Sequence, residues 1–238
     1  PCTSYFVPQN RFGRRQMKEA MAALHFDTGV LHEESRPEYS RAYRASVAGD
    51  HHRPLERARP VAPTFSSAVT GTKRLVVAGG AGQKIQSTTS LFTQAALLAG
   101  LWVSQRSDYP VAVKSGYSVS EVILSPEEIL FIGVSKPDLM VVLFPEGLNR
   151  VQSSITKLGP QDRLYLSAGL GPVETRAEQV EIDFERTGPW ANRKRYWALM
   201  ALAHLLRREG LFPIEALQAA AHVEENLAAV EAATRLEG

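Results

Sequence analysis

The sequence predicts an α/β fold in which a mostly parallel sheet is flanked by helices. Three observations lead there. Arg74 to Ala78 (RLVVA) is a continuous apolar run, the pattern of a parallel strand covered on both faces. It leads directly into a glycine-rich segment, GGAGQ at Gly79 to Gln83, and then into a stretch with helical periodicity. A second apolar run of the same kind, LMVVL at Leu139 to Leu143, recurs further on, so strands and helices alternate along the chain.

Residues 1–49 carry one amphipathic helix, Arg14 to Leu24, with Met17, Met21 and Leu24 at helical spacing. Pro8, Gly13, Gly29 and Pro37 around it predict loop and turn. So short a piece buries too little apolar surface to fold alone and reads as an extension packed on something larger. Residues 50–72 are rich in Pro, Arg, His, Ser and Thr and show no periodicity, the composition of a linker. Its basic residues could also form a phosphate-binding patch, but a solvated linker is the preferred reading.

The α/β domain is expected over residues 73–238. After the first strand, Lys84 to Gly100 reads as a helix with Ile85, Leu91, Ala95 and Leu98 toward one side. Leu101 to Gln105 is the second strand. Ser118 to Leu124 is the third, its alternation predicting one better-buried face. Lys136-Pro137-Asp138 introduces the strand at Leu139 to Leu143, a helix follows at Gly147 to Lys157, and Arg163 to Leu166 is a further strand. Tyr196 to Arg208 and Ile214 to Ala229 read as closing helices, the second started by Pro213.

Bulk properties exclude several functions. A net charge of +2 gives no electrostatic support to nucleic-acid binding. The single cysteine, Cys2, excludes a disulfide framework and a self-contained zinc or iron–sulfur site. The longest apolar run, Leu91 to Val103, is interrupted by Thr93 and Gln94 and falls short of the roughly 20 residues a bilayer requires. With no signal-peptide pattern either, the expectation is a cytoplasmic protein without membrane contact.

A strand that enters a glycine turn and then a helix can bind phosphate, because glycine lets the backbone approach and the helix N-terminus presents free N–H groups. Here Gly80 and Gly82 are followed by Ile85 with no third glycine, and the second expected strand ends in Ser104 and Gln105 with no ribose-binding acid. Nicotinamide dinucleotides are disfavoured. Two readings stay open, a ligand site and a turn required only for tight strand-to-helix packing. No Ser-His-Asp set can be placed, and Ser115-Gly116 lacks the nucleophile-elbow pattern, so no catalytic residue is assigned. His51 and His52 lack a third metal ligand nearby, and Glu127-Glu128 reads as a helix start. His204 reads as a satisfied helix histidine. Arg193-Lys194-Arg195, beside Trp190 and Trp197, reads as a solvated helix entry, with phosphate or partner contact as the alternative.

Five segments follow in order: RLVVAGGAGQ, LFTQAALLAGLWV, Tyr109-Pro110, KSGYSVSEVILS at Lys114 to Ser125, and SKPDLMVVLFPEGL at Ser135 to Leu148. Together they resemble the γ domain of 2-oxoacid:ferredoxin oxidoreductases over residues 73–226. The resemblance implies a Rossmann-like domain in an assembly that decarboxylates a 2-oxoacid to an acyl-CoA and CO2 and passes electrons to ferredoxin. It makes Gly79, Gly80, Gly82, Gln83, Lys84, Lys114 and Ser115 candidate contacts of the co-substrate coenzyme A. Two departures stand out: Lys84 where the family usually has glycine, and Lys114-Ser115-Gly116 where it often has Arg-Gly-Gly.

Pro1-Cys2-Thr3, Asp27 to Leu31 and Arg36-Pro37 resemble the C-terminal tail of the thiamine-diphosphate-binding β subunit of the same class, most clearly the smaller ones, including those acting on 2-oxoglutarate. That resemblance makes Cys2 a candidate fourth thiolate ligand of a four-iron four-sulfur (4Fe-4S) cluster. Together the two resemblances lead to the expectation of a β–γ fusion of which this chain is the C-terminal part. No Gly-Asp-Gly motif for the magnesium of thiamine diphosphate occurs, so that cofactor and the clusters are expected mainly on partner α and β subunits or upstream sequence. The favoured substrate is 2-oxoglutarate, followed by pyruvate and aryl-2-oxoacids. The alternative is an interface module with no ligand of its own that stabilises the thiamine-bearing subunits.

Overall fold

Six strands form one sheet in the order β2-β3-β1-β4-β5-β6, in a computed structural model that describes residues 62–108 and 116–237. The chain divides into two units, Pro1–Pro60 and Val61–Gly238, and the described residues all fall in the second. Cys2, the expected helix at Arg14 to Leu24, Lys114 and Ser115 lie outside the described residues.

The strands are β1 (Lys73–Gly80), β2 (Trp102–Asp108), β3 (Tyr117–Ser125), β4 (Leu139–Val142), β5 (Arg163–Ser167) and β6 (Glu178–Ile182). The pairings β1–β4, β4–β5 and β5–β6 are parallel, and β3 runs antiparallel to both β1 and β2. Five strands therefore point one way and one is reversed, a mostly parallel sheet. The helices are α1 (Ile85–Leu98), α2 (Pro145–Ile155), α3 (Trp197–Glu209), α4 (Ile214–Ala220) and α5 (Glu224–Ala232).

The apolar runs become central strands because both their faces are covered. Leu75, Val77, Leu139, Val141 and Tyr165 point into a large core shared with α1, α3, α4 and α5. Val76, Ala78, Met140, Val142, Leu164 and Leu166 point to the opposite face, against Val151 and Ile155 of α2. Burial of each such large side chain contributes roughly 1.5–3 kcal/mol.

Several elements differ from the sequence expectations. β3 is buried on both faces: Val122 and Leu124 are fully buried, Ile123 and Ser120 as well, and Ser118 nearly so, because the strand lies inside the sheet. The Ser120 hydroxyl is satisfied by that of Ser107, 3.2 Å away on β2. On α1 the buried face is Ile85, Thr88, Thr89, Phe92, Thr93, Ala95 and Ala96, while Leu91 and Leu98 are only half-buried. Thr89 is tolerated there because its hydroxyl donates to the Ile85 carbonyl at 2.7 Å.

β6 was not foreseen. Its sequence EQVEI offers only Val180 and Ile182 to the core, and as an edge strand it needs no more. The last expected helix is two, α4 and α5, separated at Ala221 to Val223. α4 lies against α1 and α5 against α3, and one straight helix could not serve both contacts. Residues 62–72, in the segment read as linker, include backbone N–H groups of Thr64 and Phe65 that bond the Leu98 carbonyl at 2.9 and 3.0 Å. The Ser67 hydroxyl also donates to the Leu211 carbonyl, at 3.1 Å. Among the described residues no helix is long and apolar enough to cross a membrane.

Candidate functional site

The glycine-rich segment lies at the carboxyl end of β1, between β3 and β4. From β1 the chain passes through α1 toward β2 at one edge, and from β4 through α2 toward β5 on the other side. α1 and α2 cover opposite faces. The carboxyl ends of β1 and β4 therefore diverge at a topological switch point, where open α/β sheets form a crevice.

Gly79 and Gly80 still belong to β1, paired with Ser118 and Tyr117 of β3, so the turn proper is Ala81 to Lys84. The Ala81 N–H donates to the Gly116 carbonyl at 2.9 Å. That bond draws the turn to the residue following Lys114 and Ser115 in the chain. A Cβ on Gly79 would come within 2.7 Å of Ile85 and 3.3 Å of Phe144, so this glycine serves packing. Gly82 differs: its φ is +80°, and among the described residues no neighbouring atom lies within 4 Å of a Cβ placed there. The glycines therefore differ: Gly79 is held by tight contacts, and Gly82 meets none among the described residues.

Lys84 is the N-cap of α1 and stands in the left-handed region at φ 55°, ψ 23°, the one non-glycine residue with positive φ among the described residues. Glycine is the residue that adopts this conformation without cost. The N–H groups of Ile85, Gln86 and Ser87 precede the first helical bond, which Thr88 donates to the Lys84 carbonyl at 2.9 Å. No acidic residue occupies the first turn of α1. Gln83 contributes a buried side-chain oxygen without a hydrogen-bond partner among the described residues.

The two flanks of the turn carry opposite character. On the α2 side stand the Glu146 carboxylate, 3.5 Å from a Cβ placed on Gly80, and the Arg150–Asp108 ion pair at 2.6 Å. The Asp108 carboxylate and the Tyr117 hydroxyl hold the Arg150 guanidinium above its usual range. On the α1 side the Lys84 ammonium lies over the Tyr196 ring, 4.9 Å from its centroid. Arg195 lies over the same ring at 5.0 Å, and Lys194 stands 5.7 Å from the Trp197 ring. Trp197 stacks on Phe144 at 5.2 Å and on Phe184 at 4.3 Å, and Phe144 is the side chain behind Gly79. The buried Tyr196 hydroxyl donates to Glu225, a bond that raises the tyrosine's pKa and lowers that of the carboxyl.

The structure thus places Gly79, Gly80, Gly82, Gln83 and Lys84 at one strand-to-helix junction, the first two at the end of β1 and the others in the turn. It also adds residues the sequence reading left apart, Phe144, Tyr196, Trp197 and Glu225. The sequence signal for Tyr196 and Trp197 was their place beside the basic triplet, whereas nothing in the sequence tied Phe144 or Glu225 to the turn. Of the other residues weighed from sequence, His204 is buried on α3, edge-on to Tyr165 at 6.1 Å. Glu127 and Glu128 begin no helix; they lie exposed after β3.

Comparison with known proteins gives the following. The sequence model of the pyruvate ferredoxin/flavodoxin oxidoreductase family matches residues 74–236. A 2-oxoglutarate:ferredoxin oxidoreductase from Magnetococcus marinus, solved with 2-oxoglutarate, coenzyme A and succinyl-CoA bound, has a TM-score of 0.60 at 21% identity. That likeness covers 71% of this chain and 31% of that one, so the chain spans about a third of the Magnetococcus protein. The γ subunit of a keto/oxoacid ferredoxin oxidoreductase from Geobacter sulfurreducens gives 0.58 at 17% identity, over 70% of this chain and 94% of that one. The pyruvate oxidoreductase subunit PORC from Thermotoga maritima gives 0.52 at 17% identity, over 70% and 93%. At these identities the likeness is one of fold. No curated protein matches the chain.

Proposed function

Because the chain belongs to the pyruvate ferredoxin/flavodoxin oxidoreductase family, we propose that it forms the γ part of a cytoplasmic 2-oxoacid:ferredoxin oxidoreductase and that its glycine turn holds the nucleotide end of coenzyme A. The enzyme would convert a 2-oxoacid and coenzyme A to an acyl-CoA and CO2, with the electrons passed to ferredoxin. One observation carries this reading. At the switch point no described residue crowds a Cβ placed on Gly82, which stands next to a helix N-terminus free of acidic residues and to the left-handed Lys84. Free N–H groups, a helix dipole and a lysine at one concave edge favour a phosphate. The role of this chain is to bind and orient the co-substrate.

The chain's own donors do not fit the remaining groups of such an enzyme. A four-iron four-sulfur cluster takes four thiolates and the chain has one cysteine, Cys2. Nor does it hold the Gly-Asp-Gly motif associated with thiamine diphosphate. In this reading both belong mainly to partner α and β chains, or to a β-type segment continuous with residues 1–49, to which Cys2 would add a single ligand. The favoured substrate is 2-oxoglutarate, on the tail at residues 1–37 and on the ligands of the Magnetococcus relative.

Binding of coenzyme A to the full chain, assembled with its partners, tests the reading. Gly82→Val forces a branched side chain into positive φ and into the proposed seat, and Lys84→Glu reverses the charge. Each should weaken binding about tenfold or more, the effect of losing a charge-assisted contact. Tight binding that neither change alters would refute the turn as the site.

A second reading, an interface module without a ligand, has its own observation. After β3 the chain exposes three consecutive large apolar side chains, Leu130 at 85%, Phe131 at 55% and Ile132 at 74%. Such a patch suits a contact with the thiamine-bearing chains. Replacing all three by serine should release the partners and leave thermal stability within about 0.5 kcal/mol, as surface changes do. An intact complex would exclude this loop from the interface.

A further inference from the structure

The basic triplet before α3 presents its charges at the surface. Arg193, Lys194 and Arg195 are all exposed, and together with Asn192 and Glu225 they line an open cavity of about 530 Å³. Their positions are fixed by aromatic side chains: Arg193 lies 4.6 Å over Trp190, Lys194 is held near Trp197, and Arg195 lies over Tyr196. The Tyr196 ring also carries Lys84, so a single buried side chain ties the triplet to the cap of α1. The Phe144–Trp197 stack makes a second tie, to the back of Gly79.

Four cations therefore stand on the α1 flank of the turn. Glu225 is the carboxylate among them, 3.5 Å from Arg195 and bonded by Tyr196. The Tyr196 hydrogen bond first, and then the charges of Arg195, Arg193 and Lys84, hold the Glu225 carboxyl below its usual range, in keeping with the shared Tyr196 ring under Lys84 and Arg195. One carboxylate offsets one of the four charges, and the excess is positive. Stacked guanidinium groups cost little to order and present planar donors to a phosphate. Among the described residues the opposite flank carries Glu146 and a closed ion pair, without such an excess.

We propose that Arg193, Lys194 and Arg195, with Lys84, form a second anion seat beside the glycine turn, and that it takes the terminal phosphomonoester of the bound nucleotide. Where the ligand is coenzyme A this is the 3′-phosphate, and the inference rests on the reading of the turn given above. The turn receives the diphosphate through backbone N–H groups, and the triplet receives the doubly charged monoester through side chains. This seat would make the site select a 3′-phosphorylated nucleotide.

The experiment compares coenzyme A with dephospho-coenzyme A, which lacks the 3′-phosphate, by equilibrium binding to the full chain in its complex. The native protein should prefer coenzyme A about tenfold or more. Arg193→Gln with Arg195→Gln should erase that preference while leaving dephospho-coenzyme A affinity within about twofold. Arg193→Lys with Arg195→Lys should restore much of it, because lysine still binds phosphate as a point charge. Rescue by lysine separates a lost anion contact from a misfolded loop. A preference that survives the glutamine pair, or an equal loss for both ligands, overturns the proposal. So does loss of the partner chains with the preference intact, which would make the triplet an intersubunit contact. If neither ligand binds the native protein, the reading of the turn fails and this seat falls with it. If both bind equally, only the seat fails.

Discussion

Lys84 is held in a conformation that favours glycine, and exchanging it for glycine and for alanine gives two variants whose order of stability reports the backbone alone. Both changes remove the ammonium and its contact with the Tyr196 ring, so that contribution cancels between them. A Cβ at φ 55° costs roughly 1–2 kcal/mol relative to the right-handed region. Against this, glycine gains about 0.5–1 kcal/mol more chain entropy on unfolding than alanine does. The balance favours Lys84→Gly over Lys84→Ala by about 0.5–1 kcal/mol, the reverse of the order inside a helix. For a chain of this size that is about 1–4 °C in Tm. Thermal unfolding of the two variants in parallel, followed by circular dichroism, measures it. An alanine variant as stable as the glycine variant, or more so, would refute the left-handed assignment. It would also remove the reason for regarding lysine here as retained against a conformational cost.

Two further predictions concern the scaffold. Gly147 packs α2 on β1 so closely that a Cβ would lie 2.5 Å from the Gly79 nitrogen and 2.7 Å from the Ala78 carbonyl carbon. Backbone atoms cannot turn aside, so Gly147→Ala should cost roughly 3 kcal/mol, the upper end for overpacking, and lower Tm by about 6 °C or more. A shift under about 2 °C would show that α2 slides freely. The second is alkaline. The buried Tyr165 hydroxyl donates to Glu209, and burial, followed by that carboxylate, pushes its pKa well above the normal tyrosine value. The raised value stabilises the fold fully below about pH 10, where tyrosine ionises in the unfolded chain. That contribution is lost as pH rises from there toward the folded pKa. Stability should fall above about pH 10, and Tyr165→Phe should flatten the fall in urea titrations run at several pH values. An unchanged slope would assign the alkaline loss to other groups.

The core of this fold was legible because parallel strands buried on both faces must be apolar throughout, and RLVVA and LMVVL announce themselves without alternation. Their interruption by GGAGQ marked the turn equally well, since few residues other than glycine permit that backbone. β6 was not legible: an edge strand buries two side chains, and Val180 and Ile182 among charged neighbours make too short a pattern. The break between α4 and α5 carried no glycine or proline. It follows from the need of two segments to contact two different helices, a requirement that exists only once α1 and α3 are in place.

The site divides the same way. The sequence by itself determined the strand, the glycines, the helix that follows and the oddity of a lysine at their junction. Those are local properties, written in residues adjacent along the chain. Only the tertiary structure decided that Tyr196, Trp197 and the basic triplet, more than a hundred positions later, stand on one flank of that turn. It likewise decided that Glu146 stands on the other. Charge sign around a crevice depends on distances through space, and the packing of α3 and α2 on opposite faces of the sheet sets those distances.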